Sequence, residues 1–215
     1  MADASSEDSG DVFGAQVCCG GKTFQLAEDW ECGLGGTIWE GGRLLAEYVA
    51  SAYFEDGFWQ GKRTVELGAG TGLPGLVAAS LGAEVSLTDM EISVPLLQRN
   101  IDANQELLGG RCKAEELDWG KTPTSGFSPP LDVVLAADVV YEPAVVPRFV
   151  ECLSELCGPQ TLCLLAFFER VPAAGSEFWK QLPMHFDFEK VSDEHMRGIL
   201  TKPLPHAGVW KLHRK

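Results

Sequence analysis

Bases are scarce in this chain: 17 Lys and Arg stand against 31 Asp and Glu, a formal net charge of −14 at pH 7. Non-specific nucleic-acid binding depends on neutralising phosphates, so this balance argues against a nucleic-acid partner and favours a basic protein partner. Long apolar runs are missing too. The longest, Leu162 to Phe168, is far short of the roughly 20 residues of a membrane-spanning helix, and no basic and apolar signal opens the chain. The expectation is a soluble, monomeric protein of the cytoplasm, with the nucleus as a second location, and no membrane partner. None of the seven cysteines (Cys18, Cys19, Cys32, Cys112, Cys152, Cys157, Cys163) stands in a CxxC pair. No metal site or redox pair is therefore expected, and the thiols read as reduced.

What remains is enough for a core. The 215 residues, 45% hydrophobic and 22% charged, fit one globular domain. Residues 1–11 carry four acids and no base, and read as a disordered acidic tail. Residues 12–215 form the single domain. Two short apolar stretches between Phe13 and Leu26 flank Cys19-Gly20-Gly21-Lys22, which suits a hairpin. Apolar residues at helical spacing predict a helix over Trp39–Phe54.

Beyond Lys62 strands and helices alternate. Strands are predicted at Thr64–Leu67, Glu84–Thr88, Lys113–Leu117, Asp132–Ala137 and Leu162–Phe168. Helices are predicted at Pro74–Leu81, Val94–Leu107, about Pro143–Cys157 and Ser176–Leu182. Two last strands, Phe186–Val191 and Val209–His213, suit an antiparallel hairpin. This series predicts an α/β fold, a mostly parallel sheet with helices on both faces.

The strongest motif is Val65-Glu66-Leu67-Gly68-Ala69-Gly70-Thr71-Gly72, which joins a strand to a helix. Its glycines permit a tight turn and let a ligand approach the backbone through Gly68, Ala69 and Gly70. A dinucleotide fingerprint would need a third glycine at Leu73. Glu66 favours a ligand with a cationic amine over a pyrophosphate. Asp89 ends the next strand, where a carboxylate can accept both hydroxyls of a ribose; Ser93 is the better cap for the following helix. Asp118-Trp119-Gly120 leaves the third strand, and Trp119 either closes an adenine pocket or is a core residue. Ala137-Asp138 leaves the fourth strand with Tyr141 three residues on. Asp138 is either a site acid or a cap for the helix near Pro143.

Together these motifs resemble class I S-adenosylmethionine-dependent methyltransferases, whose fold is a seven-stranded Rossmann-like sheet with one reversed strand near its edge. With Thr37-Ile38-Trp39-Glu40, Leu87-Thr88-Asp89 and Asp138-Val139-Val140-Tyr141, the resemblance narrows to protein lysine methyltransferases that modify chaperones, translation factors and AAA ATPases. Phe186–Val191 looks most like the AAA ATPase-modifying kind. The resemblance implies S-adenosylmethionine as cofactor and a lysine of a protein as substrate. It implies that Trp39, Gly68, Gly70, Asp89, Trp119 and Ala137 line the cofactor site, with Glu66, Ala69 and Asp118 from the same motifs. Asp138 and Tyr141 would face the lysine, and Glu169 and Arg170 would shape its mouth. The N-terminal region and Asp193–Gly208 depart from the family pattern, and these parts are expected to choose the substrate. Competing readings are a methyltransferase for a small molecule or for Arg or His, an NAD dehydrogenase, and a non-catalytic cofactor-binding scaffold.

Overall fold

Strand residues that alternate between two apolar layers build the molecule. A computed structural model describes residues 14–127, 131–192, 194–196, 199 and 207–215. The acidic tail expected over residues 1–11 lies outside the described residues, as do Phe13 and much of 193–208. In chain order the elements are β1 (Gly14–Cys19), β2 (Lys22–Ala27), α1 (Glu40–Val49), β3 (Arg63–Leu67), α2 (Leu73–Ser80), β4 (Glu84–Asp89), α3 (Val94–Ala103) and α4 (Gln105–Leu108). Then follow β5 (Cys112–Glu116), β6 (Val133–Ala137), α5 (Val146–Leu156), β7 (Leu162–Phe168), α6 (Pro172–Gln181), β8 (Phe186–Lys190) and β9 (Ala207–Arg214). No described helix is long and apolar enough to cross a membrane.

Seven strands form one sheet in the order β5-β4-β3-β6-β7-β9-β8, in which β9 runs antiparallel to both its neighbours. The expected parallel sheet with a terminal antiparallel hairpin is present, and β9 is the reversed strand. Val133 and Leu135 of β6 face one apolar layer with α1 and α2, while Val134 and Ala136 face the other with α5 and α6. This period of two, with both faces apolar, is why β6 and β7 read as continuous hydrophobic runs. The order of strands reverses between β3 and β6. Ligands of such sheets bind outside the carboxyl ends of strands at that switch point.

Several boundaries differ from the sequence expectation. The helix from Trp39 stops at Val49, because Tyr53 and Phe54 turn away to pack with Tyr48, Phe58 and Trp59. The helix after Ser93 breaks at Asn104, whose side chain accepts from Gln25 N–H (2.9 Å) and donates to Gln25 C=O (2.7 Å). Asn100, one turn earlier, makes the same pair of bonds to Ala27. These two side chains satisfy the backbone of β2, so the predicted β1–β2 hairpin docks on α3 as a separate two-stranded sheet. The fifth helix starts at Val146, three residues later than expected, and the sixth at Pro172, four earlier.

Candidate active site

The glycine loop after β3 is pinned from below and from both sides. Ala69 N–H donates to Thr88 C=O (2.9 Å), Asn100 Nδ2 donates to Thr71 C=O (3.0 Å), and Gly70 N–H donates to Asp89 Oδ2 (2.8 Å). Gly70 has φ 56°, and a side chain there would meet Gly35 C=O at 2.9 Å, so only glycine suits both the turn and its roof. That roof is the 3₁₀ segment Trp30–Gly36, which the sequence reading missed. Its glycines (Gly33, Gly35, Gly36) and lack of periodicity were the only local signal.

Glu66 is fully buried beneath the loop, and its Oε2 accepts from Gly75 N–H (2.8 Å) in the first turn of α2. Burial pushes its carboxyl up to about 8, against the pull of that bond. The folded protein therefore keeps a proton on Glu66 at pH values where the unfolded chain, with a glutamate near 4.3, has lost it. Stability from this group falls as pH rises through that window, by at most about 1.4 kcal/mol per unit. Glu66→Gln keeps an acceptor for Gly75 but cannot ionise. It should melt above the parent protein by a margin that widens between pH 5.5 and pH 8; a constant margin in thermal melts would show that Glu66 holds no such proton.

Asp89 ends β4 with both oxygens in use, Oδ2 on Gly70 N–H and Oδ1 on Met90 N–H (2.8 Å). A carboxylate oxygen accepts more than one bond and Asp89 lines the cleft, so a ribose role is compatible with this turn role. Burial shifts Asp89 upward. Ser93, expected as the cap of α3, holds the cap position but makes no side-chain cap bond. Asp118 is held by Lys121 Nζ at 2.6 Å. Trp119 settles between its two alternatives: its ring packs on Phe149 (4.9 Å) and crowds Gly68, yet it also lines the cleft. Its Nε1 is buried with no hydrogen-bond partner among the described residues.

At the end of β6, Asp138 is the non-glycine residue with positive φ (54°) among the described residues. Such a conformation in an L residue persists only where its surroundings hold it. Here Oδ2 accepts from Gly41 N–H (2.7 Å) in the first turn of α1, and Oδ1 lies 3.2 Å from Arg170 Nε. The cap alternative for the helix near Pro143 is corrected: that helix starts at Val146 with Val145 at its cap position, and Asp138 anchors the start of α1 instead. A side chain at Gly41 would sit 2.5 Å from Asp138 Oδ2, which accounts for a glycine at that position in the first turn of a helix; Gly42 beside it has open space. Tyr141 is half-buried beside the same cleft, its phenol pushed up by burial. Trp39 is fixed by a 2.7 Å bond from Nε1 to Leu34 C=O and lies under the Arg170 guanidinium at 4.9 Å. Glu28 holds the preceding Thr37 and Ile38.

These residues enclose one cleft of about 410 Å³ at the switch point, lined by Trp39, Glu66, Gly68, Ala69, Gly70 and Asp89 on one side. Asp118, Trp119, Ala137, Asp138, Tyr141 and Arg170 complete it. Glu169 does not line it: it sits in a tight turn closed by Arg170 N–H on Phe168 C=O (2.9 Å), and its Oε1 would be 3.0 Å from a side chain at Gly175 of α6. The donor set fits S-adenosylmethionine. The buried Asp89 suits a diol, the glycine loop above Glu66 admits close approach, and the orphaned Trp119 Nε1 is a donor at the cleft wall.

A family model described as lysine methyltransferase matches residues 20–185. The chain is 32% identical over 192 residues to EEF1A lysine methyltransferase 3 of Mus musculus, covering 88% of this chain and 78% of that protein. It is 35% identical over 172 residues to protein N-lysine methyltransferase METTL21A of Mus musculus (79% and 77% covered). Its identity to protein-lysine N-methyltransferase EFM6 of Saccharomyces cerevisiae is 33% over 205 residues, with 81% of each covered. Among solved structures, the T. thermophilus 16S rRNA methyltransferase RsmC in complex with AdoMet and guanosine superposes with TM-score 0.62 at 17% identity, covering 95% of this chain and 50% of that one. Magnesium protoporphyrin IX methyltransferase from Synechocystis PCC 6803 with bound SAM gives TM-score 0.56 at 19% identity (80% and 76% covered). At such identities these two likenesses speak to the fold alone. The matched family and the relatives above 30% identity span most of the chain, which belongs to the lysine methyltransferase family, a class I S-adenosylmethionine-dependent family of enzymes that methylate lysines of proteins.

Proposed function

We propose that this chain methylates a lysine side chain of a protein substrate at the rim formed by Asp138 and Tyr141. The observation that carries this reading is the placement of two acids on one sheet edge. Asp89 and Asp138 end β4 and β6, which flank β3 and its glycine loop. Two strand spacings separate them, roughly 10 Å. Asp89 would hold the ribose hydroxyls of S-adenosylmethionine, and Asp138 stands across the glycine loop from it, where the transferred methyl group would be supplied. S-adenosylmethionine supplies a methyl group on a cationic sulfur. Asp138 and Tyr141 orient the incoming amine, and the desolvated channel favours its neutral form. At pH 7 that neutral form costs about 4.6 kcal/mol for an unperturbed lysine. Positioning, which contributes about 7–11 kcal/mol in aligned reactions, offsets the cost.

The substrate is a protein of the chaperone, AAA ATPase or translation-factor type. The relatives named as protein lysine methyltransferases, one of them for EEF1A, support a protein substrate, and a net charge of −14 attracts a basic segment. The enzyme acts as a monomer in this reading. It works in the cytoplasm and also in the nucleus, compartments that suit its seven free thiols. Labelling of a cell lysate with tritiated S-adenosylmethionine tests the activity. Label on a protein, with methyl-lysine found by mass spectrometry, supports the reading; label confined to small molecules, or to Arg or His, overturns it.

Trp39 and Trp119 both border the cleft. S-adenosylmethionine should therefore change the intrinsic fluorescence, and Trp39→Phe and Trp119→Phe should each remove part of that change. A response untouched by either substitution would place the adenosine elsewhere.

A further inference from the structure

The carboxylate at the substrate rim already has a cation. Arg170 spans 3.2 Å from Nε to Asp138 Oδ1 and 2.6 Å from Nη2 to Glu40 Oε2. Its guanidinium lies over the rings of Trp39 (4.9 Å) and Phe168 (5.3 Å). Contacts from α1, β6 and β7 thus hold it in one place, and planar guanidinium suits both carboxylates and ring faces. This arrangement bears on a difficulty in the chemistry. A lysine drawn against a bare, buried carboxylate gains a stabilised ammonium, which has no lone pair with which to attack.

We propose that Arg170 is a positioning residue that offsets the charge of Asp138, so that the substrate amine is held at the rim by a hydrogen bond in its uncharged form. The inference rests on the lysine-channel reading above. The ammonium gives one proton to water as it enters. The amine lone pair then forms the N–C bond while the S–C bond breaks and its electron pair stays on sulfur. The product is a methylammonium, so the balance is one methyl transferred and one proton released.

Other charged groups near the pair do not replace this role. Glu40 is two-thirds exposed, so solvent screens its charge, and Arg43 on the same helix faces Glu40. Tyr141, after β6, is pushed upward by burial and by Asp89 and Glu142, so it stays neutral in the working range. Glu169 at the end of β7 points toward α6.

Single-turnover transfer from tritiated S-adenosylmethionine, with enzyme in excess over the lysate protein that the parent enzyme labels, tests this between pH 6.5 and 9.5. Arg170→Gln should displace the rising limb upward by about one pH unit. At pH 7 that is a loss of about tenfold, recovered near pH 9.5. Arg170→Lys keeps the charge and should follow the parent limb. A loss in Arg170→Gln by the same factor at every pH, or no loss, overturns the inference, because a merely structural role does not move the limb. Asp138→Asn serves as the separate control. If it transfers at the parent rate, the lysine-channel reading falls and takes this inference with it. If it is inactive while the Arg170→Gln limb stays in place, only the role of Arg170 falls.

Discussion

Asp138→Asn should slow methyl transfer by about 100-fold or more, equivalent to about 2.7 kcal/mol, while S-adenosylmethionine affinity stays within about twofold of the parent. Asn is a cleaner choice than Ala. Its amide oxygen still accepts from Gly41 N–H, so the start of α1 is kept and only the charge facing the amine and Arg170 is lost. An interaction made chiefly in the transition state lowers turnover without loosening the cofactor. Tyr141→Phe removes one hydroxyl at the same rim and should lose less. Single-turnover labelling with calorimetry on the same variants decides the matter. Normal transfer by folded Asp138→Asn would leave Asp138 with only its structural role at α1.

The second large effect is expected at Asp89. Asp89→Ala should weaken S-adenosylmethionine by about 1.5–3 kcal/mol, roughly 10- to 150-fold, the range for hydrogen bonds to a charged group. Asp89 also holds Gly70 and Met90, so part of the loss comes from a loosened glycine loop. Asp89→Asn retains an acceptor for one of these and should fall between parent and Ala. Unchanged affinity by calorimetry in a folded Asp89→Ala would remove the acid from the cofactor site and leave it as a turn residue.

Most of the cofactor half was legible because its determinants are local. Gly68 to Gly72 after an apolar strand marks the loop, and an acid at the end of the next strand marks Asp89. Asp138 and Tyr141 were legible by position, three residues apart beyond a buried strand. The roof over Gly70 was not, since Trp30–Gly36 has neither helical nor strand periodicity. Asn100 and Asn104 read as ordinary helix residues, and nothing nearby shows that both grip β2.

The sequence by itself determined the alternation of strands and helices, the terminal hairpin and the order of the motifs along the chain, because turn residues and hydrophobic period act over a few positions. Tertiary structure alone decided what those edges face. Gly41 and Asp138 lie 97 residues apart, and Glu40 and Arg170 lie 130 apart. Only the crossovers that set β6 and β7 beside one another, with α1 packed on them, bring these groups within bonding distance. Hence Arg170, which in sequence is one base after a strand, becomes in the fold the counter-charge of Asp138.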